Sequence, residues 1–335
     1  MINKTYLQQL KTKRIIAIFT KTFLVLFFFT TVLFSQNYID YTRIKYVAQD
    51  CILDEKFIEA QNIYDSLINI YDFVYALDCL HAIKVAITNN DSVKAQKFLL
   101  KGIEMGIPIE TINEDVFIKK NLKFNLWANI TEKTIDSLQN IYENRINKEL
   151  ARQIEKMDSI DDIATDKVNK SLIYYCKWRR VARKNAKELK EIIKIHGFPS
   201  EKIIGIKQYY FVKGEKMVTY YPIRRNAENM LIHYFSRKEK DWNEYRKLLF
   251  EQLESGNLQP ESYGTFCDFY SNWRCWEKRK GYQIYYNCYH TDDLYGRLGM
   301  VNYRRNEIGI PDFHTYGLKE KKNNFKVQRE NKILW

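Results

Sequence analysis

Apolar residues recur at intervals of three and four along most of this chain, the period of helices that bury one face. Ile135, Leu138, Tyr142, Ile146, Leu150, Ile154 and Met157 form the longest such stripe, and the polar residues 158–166 are read as its end. A second helix is predicted over 167–195, stopped by Gly197 and then Pro199. Further helices are predicted at about 223–236 and about 242–254, the latter closed by Gly256. Ahead of them the period changes to two. Tyr210, Val212, Met217 and Thr219 alternate around Lys213-Gly214-Glu215, which predicts a β-hairpin over 208–221. The aromatic stretch 273–289, with its turn at Lys280-Gly281, predicts another.

A near-repeat stands at a spacing of 35 in the N-terminal half: residues 57–64 align with 92–99 through Ala60-Gln61 and Ala95-Gln96. A small alanine with Tyr64 or Leu99 four residues later lets two helices approach closely. Asp54-Glu55-Lys56 and Asn89-Asn90-Asp91 fall in register as turns. On Ala60, Ala95, Tyr64 and Leu99, residues 40–106 resemble the tetratricopeptide repeat, although the large aromatic and the glycine of its first helix are missing. The resemblance implies stacked helical hairpins of a kind that binds peptides or proteins. Phe117, Phe124 and Trp127 are read as closing the repeat. The fold class expected is mainly α: tetratricopeptide-like hairpins over 36–130, then a helical domain with small β-hairpins over 131–318.

The first residues change the picture of location. Lys4, Lys11, Lys13, Arg14 and Lys21 precede the apolar run 23–34, too short to cross a bilayer and of the size of a signal peptide core. Residues 1–35 are read as a cleaved export signal, which places the protein in the periplasm or outside the cell. The alternative is an uncleaved inner-membrane anchor over 15–34. Removing 1–35 lowers the net charge from +13 to +8, and half of that excess sits in the basic tail 319–335. The tail is read as solvated, so nucleic acid is not an expected partner, nor is any membrane beyond the export signal.

No phosphate-cradling glycine loop, paired-histidine zinc helix, serine elbow or Cys-x-x-Cys occurs, so no cofactor is expected. Six cysteines in so long a chain are not a disulfide framework; Cys267, Cys275 and Cys288 leave one bridge open with its pairing undetermined. The irregular spacing of those three cysteines with His290 argues against a metal. Single polar residues remain as candidates. His196 ends a helix, where a cationic ring suits the dipole, with catalysis as the alternative. His233 lies at the edge of the stripe Ala227, Met230, Leu231 and Tyr234, and Asp268 is its candidate partner for general base chemistry. Gln283 and Arg305 have amide and fork geometries suited to a carboxylate or sugar ligand.

The order of His196-Gly197-Phe198-Pro199, Leu231-Ile232-His233, residues 263–268, Gln283 and residues 302–311 resembles the bacterial domain-of-unknown-function family numbered 6624, over 149–316. Asp161-Asp162, Phe269 and 285–288 depart from its pattern. The resemblance implies an exported protein with an N-terminal helical region and implies no reaction. The function expected is a cell-envelope binding or scaffold protein. The alternative is a hydrolase-like enzyme with its site among His196, His233, Asp268, Gln283 and Arg305.

Overall fold

Alanines at the repeat's aligned positions allow the first four helices to pack closely. The computed structural model describes residues 36–206, 208–213, 216–222, 226–236, 240–278 and 298–312. Helices α1 (Tyr38–Leu53), α2 (Phe57–Ile70), α3 (Ala76–Thr88) and α4 (Ser92–Glu104) each pack on the next. Ala60 and Ala95 are fully buried beside Tyr64 and Leu99, which lets the backbones approach. The two turns lie where the near-repeat aligns them, and each puts one residue, Glu55 or Asn90, in the left-handed region. Asp91 caps α4 by accepting from the backbone N–H of Lys94 at 3.0 Å. Tyr38, Tyr41, Tyr71, Phe73 and Tyr75 pack edge to face or tilted against one another, all buried.

Short helices α5 (Ile109–Glu114) and α6 (Val116–Asn121) lead to α7 (Glu132–Arg145), which packs on α4. Phe117 joins the first core, and Phe124 and Trp127 pack against it half-buried. Here the expected single stripe divides. Ile146 is extended, and Asn147 starts a new helix, α8 (Lys148–Lys170), by accepting from the backbone N–H of Leu150 at 2.9 Å. The polar residues 158–166 do not end a helix; α8 runs through them. A 3₁₀ turn (Leu172–Tyr174) then joins α8 to α9 (Tyr175–His196), and α10 (Glu201–Ile204) follows.

Backbone pairing of β1 (Gln208–Lys213) with β2 (Lys216–Pro222) is antiparallel, with Gln208 opposite Pro222, and no further strand occurs among the described residues. Helices α11 (Asn226–Phe235), α12 (Trp242–Glu254), α13 (Pro260–Lys278) and α14 (Leu298–Glu307) follow, and the described residues are mainly helical. Residues 273–278, expected in a hairpin, are the last turns of α13. The remainder of that expected hairpin lies outside the described residues. Leu150, Ile154 and Met157 of α8, Leu189 and Ile193 of α9, Met230 and Leu231 of α11, Leu249 of α12 and Phe266 of α13 form a second core.

The two cores meet across a polar seam within one compact unit beginning at Tyr38. Lys45 Nζ approaches Glu261 at 3.3 Å, Tyr75 donates to the carbonyl of Gly256 at 3.0 Å, and the N–H of Ala76, first residue of α3, donates to Glu201 at 2.6 Å. Tyr142 of α7 is wedged beside Gly205. Its hydroxyl accepts from the N–H of Ile206 at 3.0 Å, and a Cβ on Gly205 would lie 2.3 Å from that oxygen. Gly205 also sits at φ +77°, where a side chain is strained. Gly205→Ala is therefore expected to cost about 3 kcal/mol from strain and forced displacement together. Equal thermal unfolding midpoints for variant and parent would refute the wedge.

Candidate functional site

The inner face of α8 carries on past its apolar residues. Leu150, Ile154, Met157, Asp161 and Thr165 follow one another at spacings of three and four, so Asp161 and Thr165 occupy the line that the core residues began. Helix α11 packs on α8, α9 and α13 and presents Asn226 and His233, two turns apart, to that line. Asn226 Nδ2 donates to Asp158 Oδ2, and His233 Nδ1 meets Asp161 Oδ2. From α9, Trp178 Nε1 donates to Thr165 Oγ1 at 3.1 Å, and its indole stands edge-on to the His233 ring with centroids 5.8 Å apart.

Asp161 is 1 % exposed, whereas the His233 side chain is 26 % exposed. A carboxylate so buried is costly without a partner, and the imidazole is the partner it has. Its second oxygen, Oδ1, is buried without a hydrogen bond, as is Oδ1 of Asn226. Because Oδ2 can only accept, the ring proton belongs on Nδ1, which leaves Nε2 as the nitrogen able to take or give a proton. A ring held in one tautomer by a buried acid is the arrangement general bases use.

The other expected site residues are placed elsewhere. The carboxylate at the His233 ring is Asp161, not Asp268; Asp268 is buried on α13 at 1 % exposure. Sequence reasoning missed Asp161 because an aspartate was taken to mark the end of a stripe, although its spacing continues that stripe. His196 is exposed at the last residue of α9. Arg305, on α14, is turned to its own chain and donates from Nε to the carbonyl of Pro311 at 2.7 Å, closing the turn after the helix. Gln283 and Cys288 lie outside the described residues. Cys267 is buried, and burial pushes its thiol well above the usual range.

A separate cleft of about 550 Å³ opens between the loop after α4 and α7. Ile103, Ile107 and Pro108 form its apolar wall. Asp136, Gln139, Asn140 and Glu143, which share one face of α7 and are all exposed, form the other. No protein-family model matches this chain, and no curated protein or solved structure does so either.

Proposed function

We propose that the protein is exported to the cell envelope and acts by binding a protein or peptide partner. In this reading residues 40–106 are a tetratricopeptide-like layer, and a helical domain with small β-hairpins follows. The likeness of 149–316 to the domain family numbered 6624 belongs to the same reading and adds no reaction. What carries the proposal is the cleft on α7. Its volume is that of a typical ligand site, and one wall is apolar while the other offers amides and carboxylates. An extended peptide needs this combination, an apolar surface for one side chain and polar groups for its backbone. Asp136 favours a segment bearing a basic residue, Glu143 being paired with Lys148.

The test is capture from envelope extracts followed by binding with purified components. The parent is expected to hold a stoichiometric partner that Asn140→Trp, which fills the cleft at an exposed position, loses by at least about tenfold in affinity. Undiminished binding by Asn140→Trp overturns the cleft as the binding site. Fractionation of cells checks the location, with recovery in the cytoplasm contradicting export.

One observation favours a second reading, a hydrolase-like enzyme: the buried Asp161 that orients His233. If the pair is an acid–base site, His233→Gln is expected to lower hydrolytic turnover by about 100-fold or more while the protein stays folded. Hydrolysis of a broad ester, amide and glycoside panel that is unchanged in His233→Gln would dismiss this reading.

A further inference from the structure

The second core ends part-way along α8 and α9. Among the described residues, Asp161 is the last buried one of α8 and Ala182 the first of α9. From Asp161 to Lys170 the helix advances roughly 14 Å at 1.5 Å per residue, so the two helices run on beyond the core as a finger closed by the 3₁₀ turn. Leu172 and Ile173 at its end are 80 % and 81 % exposed, and Tyr174 is 43 % exposed. Behind them on α8, Ile160 and Ile163 are 45 % and 53 % exposed. They border a shallow hollow of about 150 Å³, shared with Ala164, Trp178 and Val181 and rimmed by Lys167 and Lys177. Single exposed apolar residues are ordinary, but a contiguous group at the end of a projection marks a surface that something covers.

Charge indicates what covers it. Residues 162–181, the part of the two helices that runs on beyond Asp161 and Ala182, hold five lysines and arginines and two acids, Asp162 and Asp166. Lys167, Lys170, Lys177 and Arg180 are exposed around the finger. Nearer the core the bases on these helices have acidic neighbours: Arg152 with Glu149, Lys190 with Glu244 and Lys194 with Glu191. Toward the tip bases outnumber acids. Exposed aliphatic side chains at the end of the two helices, with exposed cations set back from them, complement one kind of surface, where negative charge lies above hydrocarbon.

We propose that this finger docks on an anionic lipid bilayer: Leu172 and Ile173 enter the acyl region, Tyr174 sits at the headgroup level, and the lysines and Arg180 reach lipid phosphates. The contact is with the surface, since among the described residues no helix is long and apolar enough to cross a membrane. This goes beyond the expectation that membrane contact ends with the export signal, and it is independent of the cleft on α7. That basic run goes most of the way round α9, which in sequence favours a solvated surface; the exposed aliphatic tip joined to it becomes visible only when α8 and α9 are brought together.

The experiment uses the full chain, so that the apolar run near the N-terminus is common to every sample. A fluorophore is attached by azide–alkyne coupling to an azido amino acid placed genetically at position 172 or, as a reference, at position 152, so that none of the six cysteines takes the label. Vesicles of phosphatidylcholine, alone or mixed with phosphatidylglycerol, carry a quencher on the acyl chain. The label at 172 is expected to be quenched by the mixed vesicles, released by high salt, and little affected by phosphatidylcholine alone, while the label at 152 stays unquenched. Reversing Lys167, Lys170 and Lys177 to glutamate is expected to weaken the quenching by about fivefold or more per cation. An unquenched label at 172, or equal quenching at 172 and 152, overturns the proposal. So does tip-dependent binding to soluble polyglutamate with none to vesicles, which would assign the finger to an acidic protein. All these positions are exposed, so the variants leave both cores intact.

Discussion

Asp115→Ala is expected to lower the stability of this protein by about 3–5 kcal/mol, the largest loss foreseen for a single charge removal in it. Asp115 meets the Lys84 ammonium at 2.9 Å, with the lysine side chain 2 % exposed and the carboxylate 10 % exposed. The same carboxylate caps α6 by accepting from the N–H of Ile118 at 2.9 Å. Truncating it takes away the cap and deprives an ammonium buried in the first core of the carboxylate at 2.9 Å. Lys84→Met in the same chain is expected to restore much of the loss, because a flexible apolar side chain of similar length then fills the site with no charge to bury. Denaturant unfolding of the two single variants and the double variant measures this. A loss below about 1 kcal/mol in Asp115→Ala would mean that Lys84 finds other compensation.

Glu201→Gln is expected to do the opposite and stabilise the protein, with an effect that grows with pH. Glu201 sits in the seam between the two cores, where burial pushes its carboxyl up to about 8; the nearby Asp78 adds to this, while the bond from Ala76 and the charge of Arg145 act against it. The unfolded chain releases this proton near 4.5, whereas the folded chain keeps it to about 8. Between those values the folded state holds the extra proton, so stability is greatest below the window and falls as pH rises through it, by up to about 1.4 kcal/mol per unit. Asp78, raised in the same way by burial, contributes a slope of the same sign. Glutamine keeps an oxygen to accept from Ala76 and has no proton to lose. The gap in unfolding temperature between variant and parent should be small at pH 5 and widen to pH 8. A gap independent of pH would show that the Glu201 carboxyl is not held protonated by its burial.

Much of the helical framework was legible in the chain. The turn residues Glu55 and Asn90, the helix Trp242–Glu254 and the stop at Gly197 all lie where spacing put them, because caps, turns and amphipathic faces are written in residues a few positions apart. The break at Ile146 was not. An apolar residue there continued the stripe, and only the angle between α7 and α8 requires the chain to turn, with Asn147 available to start the next helix. The last turns of α13 were misread because aromatic residues suit strands and helices alike when nothing nearby fixes their face.

The candidate site divides along the same line. His233 could be picked out by its place at the rim of an apolar stripe, but its partner could not. Asp161 and Asp268 are both aspartates on inward faces of helices, and which of them meets the ring depends on how α11 lies across α8. The sequence by itself determined a largely helical chain, its turns and the faces its helices bury, since those follow from local backbone preference and periodicity. The tertiary structure alone decided which buried acid faces which base, where the cleft on α7 opens and which apolar residues stay outside. Those outcomes depend on the relative placement of helices far apart in the chain, and that placement comes from packing whole faces together rather than from any short run of residues.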